Sequence, residues 1–374
     1  MTGGKLPQRR IQRVLHFVPG FRSGGIESLV MSLYRCLDKR SLQFDFMVDT
    51  RDALPEFEEI RAAGGRVFQM GRYLDAPLAY QRMIHLILER HAHEYLALHS
   101  HTVIRALPVL WAARRWGIGR RILHSHTDSL EGSRQALFAS AITAVTAPLA
   151  TDYWACSEAA GRFFFKGLGY KVFNNTIPVQ QFRFSQADRV CLREKLGIER
   201  NCLVIGHTGR FTYPKNHDWL IRVFAELHRF QPKTRLLLVG DGPLEAEIRA
   251  LAGSLGVAES VSFAGLQRNV APYLSAMDVF LLPSHFEGFC ISLLEAQANG
   301  LPCLASDVIP DEVRVTQSVV TYSLNSPVAS WSNILLSLHQ KGRAASAVNG
   351  ALIQQAGYDS ETQLSSLVAM YQGS

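Results

Sequence analysis

Two glutamates in the stretch HFEGFCISLLEA, Glu287 and Glu295, stand eight positions apart, with Gly288 beside the first. Paired carboxylates accept hydrogen bonds from vicinal hydroxyls. The apolar spacing of ISLLEAQA predicts a helix from Ile291 to Ala298, stopped by Gly300 and Pro302. Glu287 then lies in the loop ahead of the helix, and Glu295 in its second turn. A fully helical interval of this length would span roughly 12 Å. Between the carboxylates lies a helix N-terminus, whose unpaired N–H groups suit an anion. The arrangement suits a ligand built as sugar, phosphate, sugar. On spacing alone, a capping carboxylate and a surface helix carboxylate explain the pair equally well.

Two cations add to the functional side. In HTGRFTYPKNHDW, Arg210 and Lys215 lie five apart on a loop between a strand and a helix. Such cations offset the charge of a diphosphate and stabilise it as a leaving group. No D-x-D pair occurs in the chain, so no metal is expected to hold the diphosphate. Histidines form a second constellation. LHSHT at 98–102 and LHSHTD at 123–128 both end apolar runs, so His101 and His126 are expected at strand ends. Paired H-x-H could ligate zinc, but without a carboxylate cluster the case is weak. A strand-end histidine is more often structural, and that alternative stays open.

These residues need elements to hold them. RVLHFVP, GFRSGG and IESLVMSLYRCL read as strand, glycine turn and helix. FDFMVD, GRVFQM, YLALHSH, RILHSHTD and YWACSE read as further strands, with helical runs such as YQRMIHLILERHA between them. CLVIGHTG restarts the grammar. NHDWLIRVFAELHRF is an amphipathic helix capped near Asn216, and TRLLLVG, SVSFAG, VFLLPS and PCLASD are strands. Alternating strands and helices predict an α/β protein with two doubly wound, Rossmann-like parallel sheets facing a crevice. The expected domains are 1–182, 183–355 and a C-terminal helix over 356–374 that returns to the first domain.

The 374 residues are more than one core usually serves. The six cysteines show no C-x-x-C pair and read as reduced thiols of a cytoplasmic protein. No secretory signal or membrane-spanning run is read in the sequence. The net charge of +7 is lopsided, because residues up to 182 carry +8 and the remainder −1. Arg114, Arg115, Arg120 and Arg121 concentrate in AARRWGIGRR. Anionic lipid or a phosphorylated substrate fits that excess, as does a merely solvated surface. Nucleic acid is not expected, since no recognised motif or stacking aromatic array accompanies the charge.

Together, GR and PKN at 209–216, LLLVGDGPLE at 236–245, FAGLQRNVAPYLSAMDVFLLPS, the E-x7-E pair and EAQANGLPCLASD carry a resemblance. In this order and spacing the chain resembles a family 4 glycosyltransferase of GT-B fold, of the bacterial exopolysaccharide and capsule type. The likeness covers nearly the whole chain and is strongest over 205–307. It implies that Glu295 holds the ribose hydroxyls and Glu287 the donor sugar. It implies that Arg210 and Lys215 grip the diphosphate, aided by N–H groups from Gly288, Phe289, Cys290 and Ile291. Gly209, Gly240, Asp241 and Gly242 would form the turns beside the nucleotide, and Leu266 and Gln267 would line the base. Gly24 and Gly25 match a glycine-rich loop that approaches phosphates and acceptor. His101 matches a position touching the donor sugar, through its carbonyl or its ring, and His126 one near the acceptor.

Two departures stand out. Asn175 to Pro178 read NTIP where the family often has NGID, and Cys290 replaces a usual Gly or Pro. The resemblance implies retaining transfer from a nucleotide diphosphate sugar, with uridine favoured, by front-face attack without a protein nucleophile or metal. It implies a lipid-linked or saccharide acceptor and a protein peripheral to the inner face of the cell membrane. A nucleotide-sugar epimerase would need a further acid, and a non-catalytic binder would not need all four charges. A dehydrogenase would need G-x-G-x-x-G spacing, which GFRSGG lacks.

Overall fold

The computed structural model describes residues 11–21, 25–126 and 133–372. The chain divides into two units, Met1–Asn175 with Ser360–Ser374, and Thr176–Asp359. The boundary expected after residue 182 falls later than this division. It would cut behind the turn Val179–Phe182, whose Val179 and Phe182 are buried in the C-terminal core.

In the N-terminal unit the strands are β1 (Gln12–Val18), β2 (Leu42–Val48), β3 (Val67–Gln69), β4 (Tyr95–Ser100), β5 (Arg120–Ser125), β6 (Asp152–Ala155) and β7 (Lys171–Val172). They form one parallel sheet in the order β3-β2-β1-β4-β5-β6-β7. In the C-terminal unit β8 (Leu203–Thr208), β9 (Thr234–Val239), β10 (Val261–Phe263), β11 (Val279–Leu282), β12 (Cys303–Ser306) and β13 (Val319–Tyr322) pair in parallel as β10-β9-β8-β11-β12-β13. The sequence reading lacked β7 and β13, which are short edge strands without a long apolar run.

Both faces of each sheet are buried, as parallel sheets with helices on both sides require. Val204, Leu237, Val239, Phe280 and Leu282 point into one C-terminal core, and Leu203, Ile205, Leu236, Leu238 and Leu281 into the other. This is the period-2 alternation of a strand read out twice. In the N-terminal unit Leu15, Phe17, Leu98 and Leu123 face one core. Val14, Val18, Phe44 and Ile122 face the other, which the last helix, Ser360–Gln372, closes with Leu367 and Tyr371.

Each sheet reverses its strand order once, between β1 and β4 and between β8 and β11. Doubly wound sheets open a crevice at the C-terminal strand ends where the order reverses. In the C-terminal unit that places the loops after β8 and β11 side by side. Among the described residues no helix is long and apolar enough to cross a membrane.

Candidate active site

The loop after β8 carries Gly209, Arg210 and Lys215, and the loop after β11 carries Glu287 and Gly288. The two loops are tied by the His285 N–H donating to the Pro214 carbonyl at 2.8 Å and by stacking of Tyr213 on His285. Asn216 ends the first loop in a left-handed conformation, φ 51°. Its side-chain oxygen accepts from the Trp219 N–H at 3.4 Å and so caps the helix His217–Phe230.

Lys215 donates to Glu287 Oε1 at 2.7 Å, and the Ser284 hydroxyl donates to the same oxygen at 2.6 Å. Burial opposes the lysine charge, but its interactions with Cys290, Glu287 and Glu295 outweigh that, and its pKa lies above the ordinary lysine value. Glu295 sits in the second turn of the helix Ile291–Ala298, within electrostatic reach of Lys215. Burial pushes its carboxyl up to about 8, only partly countered by Lys215. An ammonium thus lies on the Glu287 carboxylate and within electrostatic reach of Glu295.

The helix Ile291–Ala298 begins at Cys290 with no side-chain cap. Among the described residues the N–H groups of Gly288, Phe289, Cys290 and Ile291 donate to no protein acceptor. Cys290 is buried, its thiol pushed up to about 11 by that burial, and its sulfur lies 3.3 Å from the Ser292 hydroxyl. Arg210 is exposed, and no ion pair holds its guanidinium among the described residues.

Glycines let the neighbouring loops close. Gly240, φ 139°, would place a Cβ 2.0 Å from the Gly209 carbonyl oxygen. Gly242, φ 156°, would place one 2.5 Å from that of Phe211. Both φ values favour glycine. The Phe211 N–H donates to the Asp241 carbonyl at 2.7 Å, while the Asp241 side chain is exposed. Leu266 is exposed, and Gln267 donates to the Ala264 carbonyl at 2.6 Å.

His101 and His126 belong to the other unit and sit in a histidine stack. His101 Nε2 lies 2.9 Å from His16 Nδ1, and His101 Nδ1 lies 3.0 Å from His126 Nε2. A second row runs from the Tyr371 hydroxyl to His99 Nδ1 at 2.6 Å and from His99 Nε2 to His124 Nδ1 at 3.0 Å. Desolvation lowers all five imidazoles, His16 to about 3 and His126 to about 4. Both ring nitrogens of His101 are taken by neighbouring histidines. Gly25 opens the helix Gly25–Cys36, and Gly24 lies outside the described residues.

Residues 202–339 match the family described as Glycosyl transferases group 1. EpsF of Bacillus subtilis (strain 168), named as a glycosyltransferase, is 32% identical over 370 residues, 96% of each chain. The chain belongs to the group 1 glycosyl transferases. Solved structures show the architecture of this group 1 glycosyl transferase to be GT-B. HepE of Anabaena, solved with UDP and glucose, is 20% identical with TM-score 0.78, over 97% of this chain and 100% of that one. WaaG, a glycosyltransferase involved in lipopolysaccharide biosynthesis, is 17% identical with TM-score 0.69, over 96% and 100%.

Of the positions expected in this glycosyl transferase's donor site, Lys215, Glu287, Cys290 and Glu295 interact directly or through their charges. Sequence reasoning missed Ser284, whose hydroxyl fixes Glu287 while its carbonyl accepts from Ser306 at 2.6 Å. The serine closing VFLLPS was its only signal. It also missed that His16 and Tyr371 join the two H-x-H pairs, because strand order and the last helix bring them together.

Proposed function

We propose that this glycosyl transferase moves a sugar, with retention of configuration, from a uridine diphosphate sugar to an acceptor hydroxyl. One observation carries the reading. Lys215 stands in the field of Glu287 and Glu295, beside an uncapped helix N-terminus and an unpaired Arg210. In that reading Glu295 holds the ribose hydroxyls and Glu287 the donor sugar. The four N–H groups from Gly288 to Ile291 take the diphosphate, with Arg210 and Lys215 beside it. As the glycosidic bond breaks, charge builds on the leaving phosphate oxygen, and the two cations stabilise it there. That oxygen then takes the acceptor's proton, so no protein base is needed. The loop at Leu266 and Gln267 borders the base. Protein cations fill the role that a metal fills elsewhere, and the reaction runs without one. HepE, solved with UDP and glucose, supports the choice of nucleotide.

The acceptor in this reading is a lipid-linked glycan of exopolysaccharide or capsule assembly, and the protein works in the cytoplasm at the membrane's inner face. The likeness to EpsF and the basic N-terminal half support it. Of the four clustered arginines, Arg120 pairs with Asp152 at 2.6 Å, and Arg121 donates to three carbonyls. Arg114 and Arg115 are exposed and would meet phosphate headgroups, Arg115 from its place over the Trp116 ring.

Thermal shift with UDP, GDP and ADP in the presence of EDTA tests the donor site, since a ligand of the folded state raises its melting temperature. A shift with UDP that is lost in Glu295→Ala and Arg210→Ala is expected. A shift with GDP or ADP instead would overturn the uridine assignment, and no shift with any of the three would overturn the donor site. An epimerase would convert the nucleotide sugar without acceptor, whereas this reading requires acceptor for efficient release of UDP.

A further inference from the structure

The histidine stack in the N-terminal unit contains more unpaired nitrogen than packing explains. His16 Nε2, His124 Nε2 and His126 Nδ1 are buried without partners, and so is Asn175 Oδ1. Asn175 lies at the His126 ring and raises its proton affinity. An unsatisfied buried polar atom costs about 1–3 kcal/mol. His126 Nδ1 and Asn175 Oδ1 satisfy each other in one tautomer of the ring, which leaves His16 Nε2 and His124 Nε2 still without a partner.

The stack also brings ligand atoms together. His101, His124 and His126 each offer one nitrogen within 4.8 Å of the others. His16, His99 and His101 form a second such triad. The first is the better site for two reasons. It contains the unpaired His124 Nε2, and His126 is only partly buried, which gives a cation a way in.

We propose that His101, His124 and His126 form a transition-metal site, with zinc as the cation best matched to three imidazoles. Zinc binds imidazole nitrogen at about 2.0–2.1 Å, which sets tetrahedral ligands about 3.4 Å apart. His101 Nδ1 and His126 Nε2 stand 3.0 Å apart, so a small opening admits the ion in place of their shared proton. That proton moves to the far nitrogen of His126, Nδ1, and no charge is created on the rings. Nδ1–H then faces Asn175 Oδ1, and two of the unpaired atoms become partners. His101 keeps its proton on Nε2 and donates it to His16 Nδ1, at 2.9 Å. Ligating histidines are held by such outer hydrogen bonds. Imidazole alone selects zinc, copper or nickel over magnesium or calcium. The fourth position is left to water. The site lies in the N-terminal unit.

The test uses the full chain without a polyhistidine tag, stripped with EDTA and then equilibrated with one equivalent of zinc sulfate. After desalting, elemental analysis is expected to find one zinc per chain. His126→Gln is expected to retain none, whereas His93→Gln, at an exposed histidine outside the stack, retains one. No zinc on the parent chain, or an unchanged stoichiometry in His126→Gln, would overturn the proposal. Should His126→Gln fail to fold, Asn175→Asp decides. A carboxylate behind a ligating histidine is expected to tighten zinc binding by about tenfold or more, and an unchanged or weaker affinity overturns the site. Cobalt substitution adds a visible spectrum that distinguishes tetrahedral coordination from loose surface binding. The nucleotide thermal shifts are read separately, so failure of either reading leaves the other standing.

Discussion

Lys215 donates to Glu287 at 2.7 Å across 72 residues of sequence. The contact joins the loops after β8 and β11 at the point where the C-terminal sheet reverses its order. The side chains are only 20% and 9% exposed, so each charge depends on the other. An arriving diphosphate would meet a lysine already positioned, and Glu287 would be released toward a sugar hydroxyl.

Removing one partner leaves the other charge unpaired. Lys215→Ala is expected to cost about 2–4 kcal/mol of stability, read by urea unfolding. Glu287→Gln keeps the shape and should cost less. Equal losses would mean that packing rather than charge governs the pair.

Arg210 is the contrasting cation. It is exposed and unpaired, so Arg210→Ala should change stability by no more than about 0.5 kcal/mol. The transfer rate is expected to fall about 100-fold or more, as when one group facing developing charge is lost. A rate within a few-fold of the parent would remove Arg210 from the reaction.

Gly240→Ala drives a methyl into the Gly209 carbonyl oxygen at 2.0 Å and strains φ as well. A loss of at least about 2 kcal/mol is expected. Gly256, φ 71°, has open space around its missing Cβ, and its alanine variant should lose only about 1 kcal/mol. Equal denaturation midpoints for the two variants would contradict the close approach of these loops.

Glu295 gives a pH dependence with a defined sign. Its pKa of about 8 lies above its value in an unfolded chain, so the native state holds a proton that the unfolded state releases. Its contribution to stability is therefore intact below about pH 4.5 and is lost progressively as pH rises to about 8. Glu295→Gln should flatten that slope in melting temperature against pH. Ribose hydroxyls donate to the ionised form, so UDP affinity should rise as pH passes 8. An identical pH profile in the glutamine variant would rule this out.

The exposed Arg114 and Arg115 should carry the chain onto membranes. Sedimentation with vesicles containing phosphatidylglycerol is expected to exceed that with neutral vesicles, and to fall in the double alanine variant or at high salt. Equal recovery in both supernatants would exclude anionic lipid as the partner.

Much of the candidate site was legible because it is local. The helix over Ile291–Ala298 follows from apolar spacing and its stop signals, and the structure gives the same bounds. The Asn216 cap and the glycines beside Gly209 follow from rules of backbone conformation. Edge strands such as Val319–Tyr322 escaped because a short, half-buried run carries too little periodicity.

The sequence by itself determined the alternation of strands and helices, the two parallel sheets, and the charges each loop would carry. These depend on neighbours a few residues apart, where steric and hydrogen-bonding preferences act directly. Tertiary structure alone decided which loops meet. Lys215 reaches Glu287 because β8 and β11 are adjacent in the sheet. Two separate H-x-H pairs become one stack because β4 lies between β1 and β5, and because the final helix brings in Tyr371. Crossover connections set those adjacencies, and the burial that drives them is summed over whole faces of the sheet, so no short segment records them.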